Sequence, residues 1–196
     1  MPRTSNQIII GIERSPNTVF TTTEISQLLP DVEPGNLRRM LWYYAQKGLI
    51  QRIRRGIYVK ENYHPDEVAN KLYAPSYISF STVLERESIV FQSDSAIHSA
   101  AYLTRNVTVA AHNLSYHKLS DHILLNAQGI MKKNGVNIAS PERALLDQLY
   151  LFGDSYFDNT RLLHWDEIFA LLPLYQRATL TMRVNKQYNI FKKKYA

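Results

Sequence analysis

The sequence predicts an α+β protein: a winged helix-turn-helix over residues 1–62, then a small mixed α+β C-terminal domain over 63–196 that ends in a basic helix or tail. Three observations predict it. Helical apolar spacing in the first 50 residues gives way to a short basic β-hairpin. The second half mixes helix starts with β-rich runs. The basic charge is gathered at the two ends: residues 1–60 carry a net +5, 61–182 a net −4 and 183–196 a net +5.

The elements follow in order. Ser5 to Glu13 reads as a helix with Ile8, Ile9 and Ile12 inward, and Val19-Phe20 adds a short strand to the hairpin. Thr21 opens the second helix; with Glu24 it has the spacing of a capping box, and Ile25, Leu28 and Leu29 share one face. Pro30 to Glu33 is turn material, and Pro34 suits the first turn of a third helix that reaches Lys47. The buried stripe of that helix is Leu37, Met40, Leu41 and Tyr44, and Gly48 is placed as its left-handed C-cap. At about 100° per residue, Asn36, Arg39, Tyr43 and Gln46 fall on the solvent face, with Arg38 on the flank. Trp42 falls on the other flank, where it either stacks on a DNA sugar or, as tryptophan's habit of burial favours, packs against another part of the chain. Leu49 to Lys60 then reads as a hairpin with its tight turn at Arg55-Gly56.

Beyond a linker at Tyr63 to Pro65, helices are predicted over Pro65 to Leu72 and Ser79 to Glu87. Ala96 to Leu103, Asn106 to Ala110 and Leu114 to Leu119 read as antiparallel strands, and Ile123 to Ile130 as a further strand. Asn134-Gly135 is a hairpin turn signal. Ser140-Pro141-Glu142 starts a helix, with serine as N-cap and proline behind it. Helices over Trp165 to Leu172 and in the segment ending Lys192-Lys193-Lys194 close the chain.

Composition narrows the function. The 196 residues include no cysteine, which excludes a disulfide framework, cysteine-ligated zinc and a thiol nucleophile. The start is polar and no run of about 18 apolar residues occurs, so a cytoplasmic, non-membrane protein is expected. Neither a phosphate-binding glycine loop nor a nucleophile elbow is present. His112, His117 and His122 recur every five residues, with Asp121 beside the last, but that spacing fits neither one helix face nor one strand face. Asp94, Glu142 and Asp147 offer a magnesium site for a nuclease, though Glu142 also suits a helix dipole and Asp147 also pairs with Arg143 at i, i+4. No enzymatic activity, cofactor or metal is expected.

Seven basic and no acidic residues lie between Arg38 and Lys60, a patch suited to a phosphate backbone. A polar-faced helix followed by a basic hairpin is the order of a winged helix-turn-helix, so the expected partner is double-stranded DNA. The expected contacts are Asn36, Arg38, Arg39, Tyr43 and Gln46 of the third helix and Arg52, Arg54, Arg55 and Lys60 of the hairpin. The basic C-terminal segment reads equally as a second DNA contact and as a solvated terminus.

RIRRGIYV (Arg52 to Val59), APSYIS (Ala74 to Ser79) and IASPERALLDQLYL (Ile138 to Leu151) resemble the AbiEi family, over roughly residues 15 to 175. That family comprises antitoxins and transcriptional regulators of abortive-infection, type IV toxin–antitoxin systems, which act in phage defence. The resemblance implies a repressor that binds inverted repeats in its own promoter through the N-terminal domain. It also implies a C-terminal domain that neutralises a nucleotidyltransferase-like toxin encoded nearby. The chain departs from the family pattern at Phe80 to Glu85, where small residues are usual. An operator with inverted repeats suits a homodimer or a pair of monomers.

Overall fold

Residues 3–92 and 94–195 are described by the computed structural model. Residues 3–59 supply three helices and a three-stranded sheet. Helix α1 (Arg3–Arg14) buries Ile8 and Ile12. Strand β1 (Val19–Thr21) leads into α2 (Thr22–Gln27), whose N-cap Thr21 accepts from the Glu24 N–H at 3.1 Å while the Glu24 carboxylate accepts from the Thr21 N–H at 2.7 Å. This is the capping box the spacing predicts. Helix α3 (Pro34–Gln46) buries Leu37, Leu41 and Tyr44. It stops at Gly48, whose φ of +69° is the left-handed conformation glycine tolerates best. Strands β2 (Gln51–Arg54) and β3 (Ile57–Val59) form the hairpin, and the antiparallel order is β1-β3-β2. Ile8, Ile12, Phe20, Ile25, Leu37, Leu41 and Tyr44 share one core between helices and sheet.

Two expectations for this half are corrected. Leu28 does not share the buried face of Ile25: it is the C-cap of α2 and is 50% exposed, because the helix ends before its side chain can turn inward. Trp42 does not pack against another part of the chain and is 57% exposed.

The second half is built on a six-stranded mixed sheet in the order β6-β7-β5-β4-β9-β8. Helix α4 (Pro65–Leu72) leads to β4 (Ser76–Ile78), and α5 (Phe80–Arg86) to β5 (Ala96–Ala101), β6 (Arg105–Val109) and β7 (His112–Lys118). The three central runs are not all antiparallel as predicted. Strands β6 and β7 are, but β7 lies parallel to β5, so β6 becomes an edge strand. Residues Ile123 to Ile130 are not a strand either. A short α6 (Asp121–Leu124) follows Ser120 and buries Ile123 and Leu124, and β8 (Ile130–Lys133) begins only where that run ends. Asn134 and Gly135, with φ of +50° and +79°, turn β8 into β9 (Val136–Ala139). Helix α7 (Pro141–Phe152) starts as predicted, with the Ser140 hydroxyl accepting from the Arg143 N–H at 3.2 Å. Helices α8 (Trp165–Leu171) and α9 (Ala178–Tyr195) cover α7. No described helix is long and apolar enough to cross a membrane.

The two halves share a core. Val19, Ile57 and Val59 pack with Val68 and Ala69 of α4 and with Val109, Leu114 and Tyr116 of the large sheet. Glu67, 1% exposed, anchors the junction: its carboxylate accepts from the Thr18 and Val19 N–H groups at 3.0 Å and from the Thr18 hydroxyl at 2.8 Å. The Lys71 ammonium donates to the Val19 carbonyl at 2.5 Å and pairs with Glu24 at 2.9 Å. The predicted linker at Tyr63 to Pro65 is thus short and packed, with the Tyr63 ring edge-on to His112.

Candidate nucleic-acid interface

The buried stripe of α3 fixes which side chains it presents outward. With Leu37, Leu41 and Tyr44 inside, Asn36, Arg38, Arg39, Tyr43 and Gln46 are all exposed. Arg39 donates a hydrogen bond to the Asn36 side chain, which in turn donates to Glu33 at 3.3 Å. The Lys47 ammonium lies 5.8 Å from the Tyr43 ring centre. On the hairpin, β3 is buried throughout and β2 carries Arg52 and Arg54 outward, with Arg55 at the turn. Among the described residues, Arg38, Arg52 and Arg55 enter no ion pair, so their charge is uncompensated at the surface. A surface of this kind, one helix face beside a basic hairpin, offers hydrogen-bond donors to base edges and cations to phosphates.

Two of the nine expected contacts are placed differently. The Lys60 ammonium donates to the Glu13 and Ser15 carbonyls, at 3.1 and 2.8 Å, so it satisfies the C-terminal end of α1 instead of facing outward. Arg54 is exposed but held at the junction, 5.7 Å from the Tyr73 ring centre; Arg105 of β6 approaches the same ring at 6.0 Å.

The runs Ala74 to Ser79 and Ile138 to Leu151 meet inside the second half. Asp147 of α7 is fully buried and accepts from three hydroxyls: Tyr77 at 3.0 Å, Ser79 at 2.7 Å and Tyr175 at 2.6 Å. Arg143, one turn earlier and also fully buried, has its Nε 3.5 Å from Asp147. It donates to the Tyr77 hydroxyl at 3.1 Å and to the carbonyls of Ile123 and Gln128 at 2.7 and 2.9 Å. Burial, and then the charge of Asp147, push both phenols well above their ordinary range, so Tyr77 and Tyr175 remain O–H donors at neutral pH. The sequence reading paired Asp147 with Arg143 at i, i+4, as found, but missed the hydroxyls of Tyr77, Ser79 and Tyr175 that meet the same carboxylate.

The remaining candidates are dispersed. Asp94, Glu142 and Asp147 do not converge on a magnesium site: Asp94 is bound to His98, Glu142 to His164 and Asp147 to Arg143. His112, His117 and His122 also fall apart, but His117 meets a histidine the spacing did not suggest. The His98 and His117 rings are nearly parallel, at 5°, and their Nδ1 and Nε2 atoms lie 2.8 Å apart, so they meet edge to edge through an N–H···N bond. Asp94 sits 2.7 Å from His98 Nε2 and is held below the usual carboxylate range by the Ala96 N–H and by His98. Phe80 and Phe152 pack edge-on against His117 at 4.9 and 5.0 Å. Phe80 does so from a φ of +58°, a left-handed conformation that costs a bulky residue strain.

Burial, and secondly His98, push His117 down to about 4. An unfolded histidine titrates near 6.5. Between those values the unfolded chain binds the extra proton, so stability falls as the pH falls from about 6.5 to about 4. Urea midpoints at pH 7, 5.5 and 4.5 should decline, and His117→Asn should flatten the decline. An unchanged slope in the variant would place the acid sensitivity elsewhere.

No family model matches the chain, and no curated protein sequence matches it. Among solved structures, it is similar to the RV2827C protein of Mycobacterium tuberculosis, with a TM-score of 0.54 and 12% identity. The alignment covers 94% of this chain and 75% of that one. At this identity the likeness concerns the fold alone, a mixed α+β architecture with a mixed sheet.

Proposed function

We propose that this chain is a DNA-binding transcriptional regulator whose first half acts as a winged helix-turn-helix. In this reading α3 enters the major groove, with Asn36, Arg39, Tyr43 and Gln46 toward base edges and Arg38 toward phosphate. The hairpin arginines Arg52 and Arg55 hold the flanking backbone or minor groove. The observation that carries it is the exposed polar face of α3 beside a hairpin whose Arg52 and Arg55 are exposed and enter no ion pair among the described residues. The exposed ring of Trp42, on the flank of the same helix, adds a flat apolar surface for a sugar. The AbiEi resemblance extends the proposal to autorepression at inverted repeats.

A gel-shift titration against the chain's own upstream promoter, with a scrambled duplex as competitor, at two salt concentrations, tests it. Tight, competitor-resistant binding is expected. Arg39→Ala should weaken binding by about 1–3 kcal/mol, roughly 5- to 150-fold, and relax specificity at one position if it reads a guanine. Arg52→Ala or Arg55→Ala should weaken binding to all duplexes alike and lower the salt slope by about one. Unchanged affinity in all three at low salt would reject the assignment of α3 and the hairpin.

A second reading, neutralisation of a nucleotidyltransferase-like toxin, rests on the resemblance and on one surface. Phe91 and Tyr156 are 69% and 77% exposed; the Phe91 N–H donates to Asp158, close in the chain to Tyr156. Exposed aromatic rings of this kind suit a protein partner. Coexpression of the full chain with such a toxin tests it: rescue of growth supports the reading, and continued toxicity rejects it.

A further inference from the structure

Glu142 stands apart from the DNA-facing surface and from the buried Arg143–Asp147 network. Its side chain is 3% exposed, in the first turn of α7. One oxygen, Oε1, accepts from the backbone N–H of His164 at 3.2 Å and lies 3.2 Å from His164 Nδ1. Among the described residues neither a lysine nor an arginine forms an ion pair with the group. A buried carboxylate is costly unless its charge is met. The N-terminus of α7 offers only a partial positive charge.

A second carboxylate is close by. His164 caps α8, and Glu167 follows within its first turn. The ligand atoms of Glu142, His164 and Glu167 all lie within 4.8 Å of one another. We infer that these three residues form a binding site for a divalent first-row transition ion, with zinc the best fit. One imidazole nitrogen and two carboxylate oxygens suit an ion of borderline softness. Magnesium and calcium favour oxygen-only shells, and monovalent copper favours sulfur. Ligand atoms around a tetrahedral zinc sit about 3.3 Å apart, given bonds of about 2.0–2.1 Å. The 3.2 Å between Glu142 Oε1 and His164 Nδ1 already has that spacing. Glu167 is exposed and His164 is 75% exposed, so both can close the remaining distance and the ion has an open path in. Three protein ligands leave a fourth position for water. The ion meets the charge of Glu142 and ties the start of α7 to the start of α8.

The test uses the full chain stripped with a chelator. Zinc is titrated by calorimetry, and cobalt is followed by its visible absorption. One equivalent of bound ion is expected. At zinc about 100-fold above its dissociation constant, the melting temperature should rise by about 5–10 °C. His164→Ala and Glu167→Gln alter exposed side chains, and their metal-free melting temperatures report that they fold. Each should weaken zinc binding at least tenfold and remove the thermal shift. Absence of binding by the unsubstituted chain, or variants that bind zinc as it does, would overturn the site.

Discussion

Replacing Asp147 with alanine is expected to cost about 3–5 kcal/mol of folding stability, the usual penalty for stranding one member of a buried ion pair. Arg143 is fully buried, and its Nε makes no hydrogen bond even with Asp147 present. Without the carboxylate, the guanidinium keeps only carbonyls and a phenol as partners. The hydroxyls of Tyr77, Ser79 and Tyr175 lose their acceptor at the same time. Those three groups come from β4, from the N-cap of α5 and from the segment before α9, so one substitution loosens the sheet, two helices and the helical cover together. Against a total of about 5–15 kcal/mol, this brings the second half close to unfolding. Urea denaturation measures it. The double variant Arg143→Met with Asp147→Leu should cost less than Asp147→Ala, because it leaves no charge behind. A loss below about 1 kcal/mol in Asp147→Ala would show that the network contributes little.

Glu67→Ala should cost about 3 kcal/mol, and its effect should be felt across the junction. The carboxylate receives two backbone N–H groups and a hydroxyl from Thr18 and Val19, and removing it leaves the buried Val19 donor and the half-buried Thr18 donors without their acceptor. Glu67→Gln should fall between, since one amide oxygen remains to accept while the amide nitrogen opposes an N–H. Hydrogen exchange separates this from a general loss: the Thr18 and Val19 amides should exchange faster before the core amides of α7 do. If those two amides keep their protection, the carboxylate is not what orders them.

The sequence carries the local elements of this fold better than their assembly. Capping boxes, helix-stopping glycines and tight hairpin turns act within a few residues, so Thr21 with Glu24, Gly48, and Asn134-Gly135 were readable directly. Pairing over long distance left no such mark. Strand β7 pairs in parallel with β5 while β6 lies outside it on the edge, and no periodicity distinguishes that from a meander. The run Ile123 to Ile130 opens with three apolar residues whose spacing suits a buried strand or a helix, and the first two are claimed by a turn of helix after Ser120. The exposed face of α3 followed from its buried stripe, so most of the candidate interface was legible. Lys60 was not, because the carbonyls that hold it, of Glu13 and Ser15 at the end of α1, are more than 40 residues away. Glu67, Arg143 and Asp147 have the same character: each looks like an ordinary surface charge of a helix until its distant partners are placed.

The core shared by the two halves also has a schedule. Val19, Ile57 and Val59 emerge from the ribosome early, but Leu114 and Tyr116, which cover them, are roughly 60 residues further along. At about 5–20 residues per second, the chain spends about 3–12 s with that apolar underside uncovered. A nascent protein in this state is open to capture by chaperones and to sticking against its own copies. Slowing synthesis between codons 60 and 116 lengthens the interval, and the yield of folded protein then depends on translation speed as well as on the final structure.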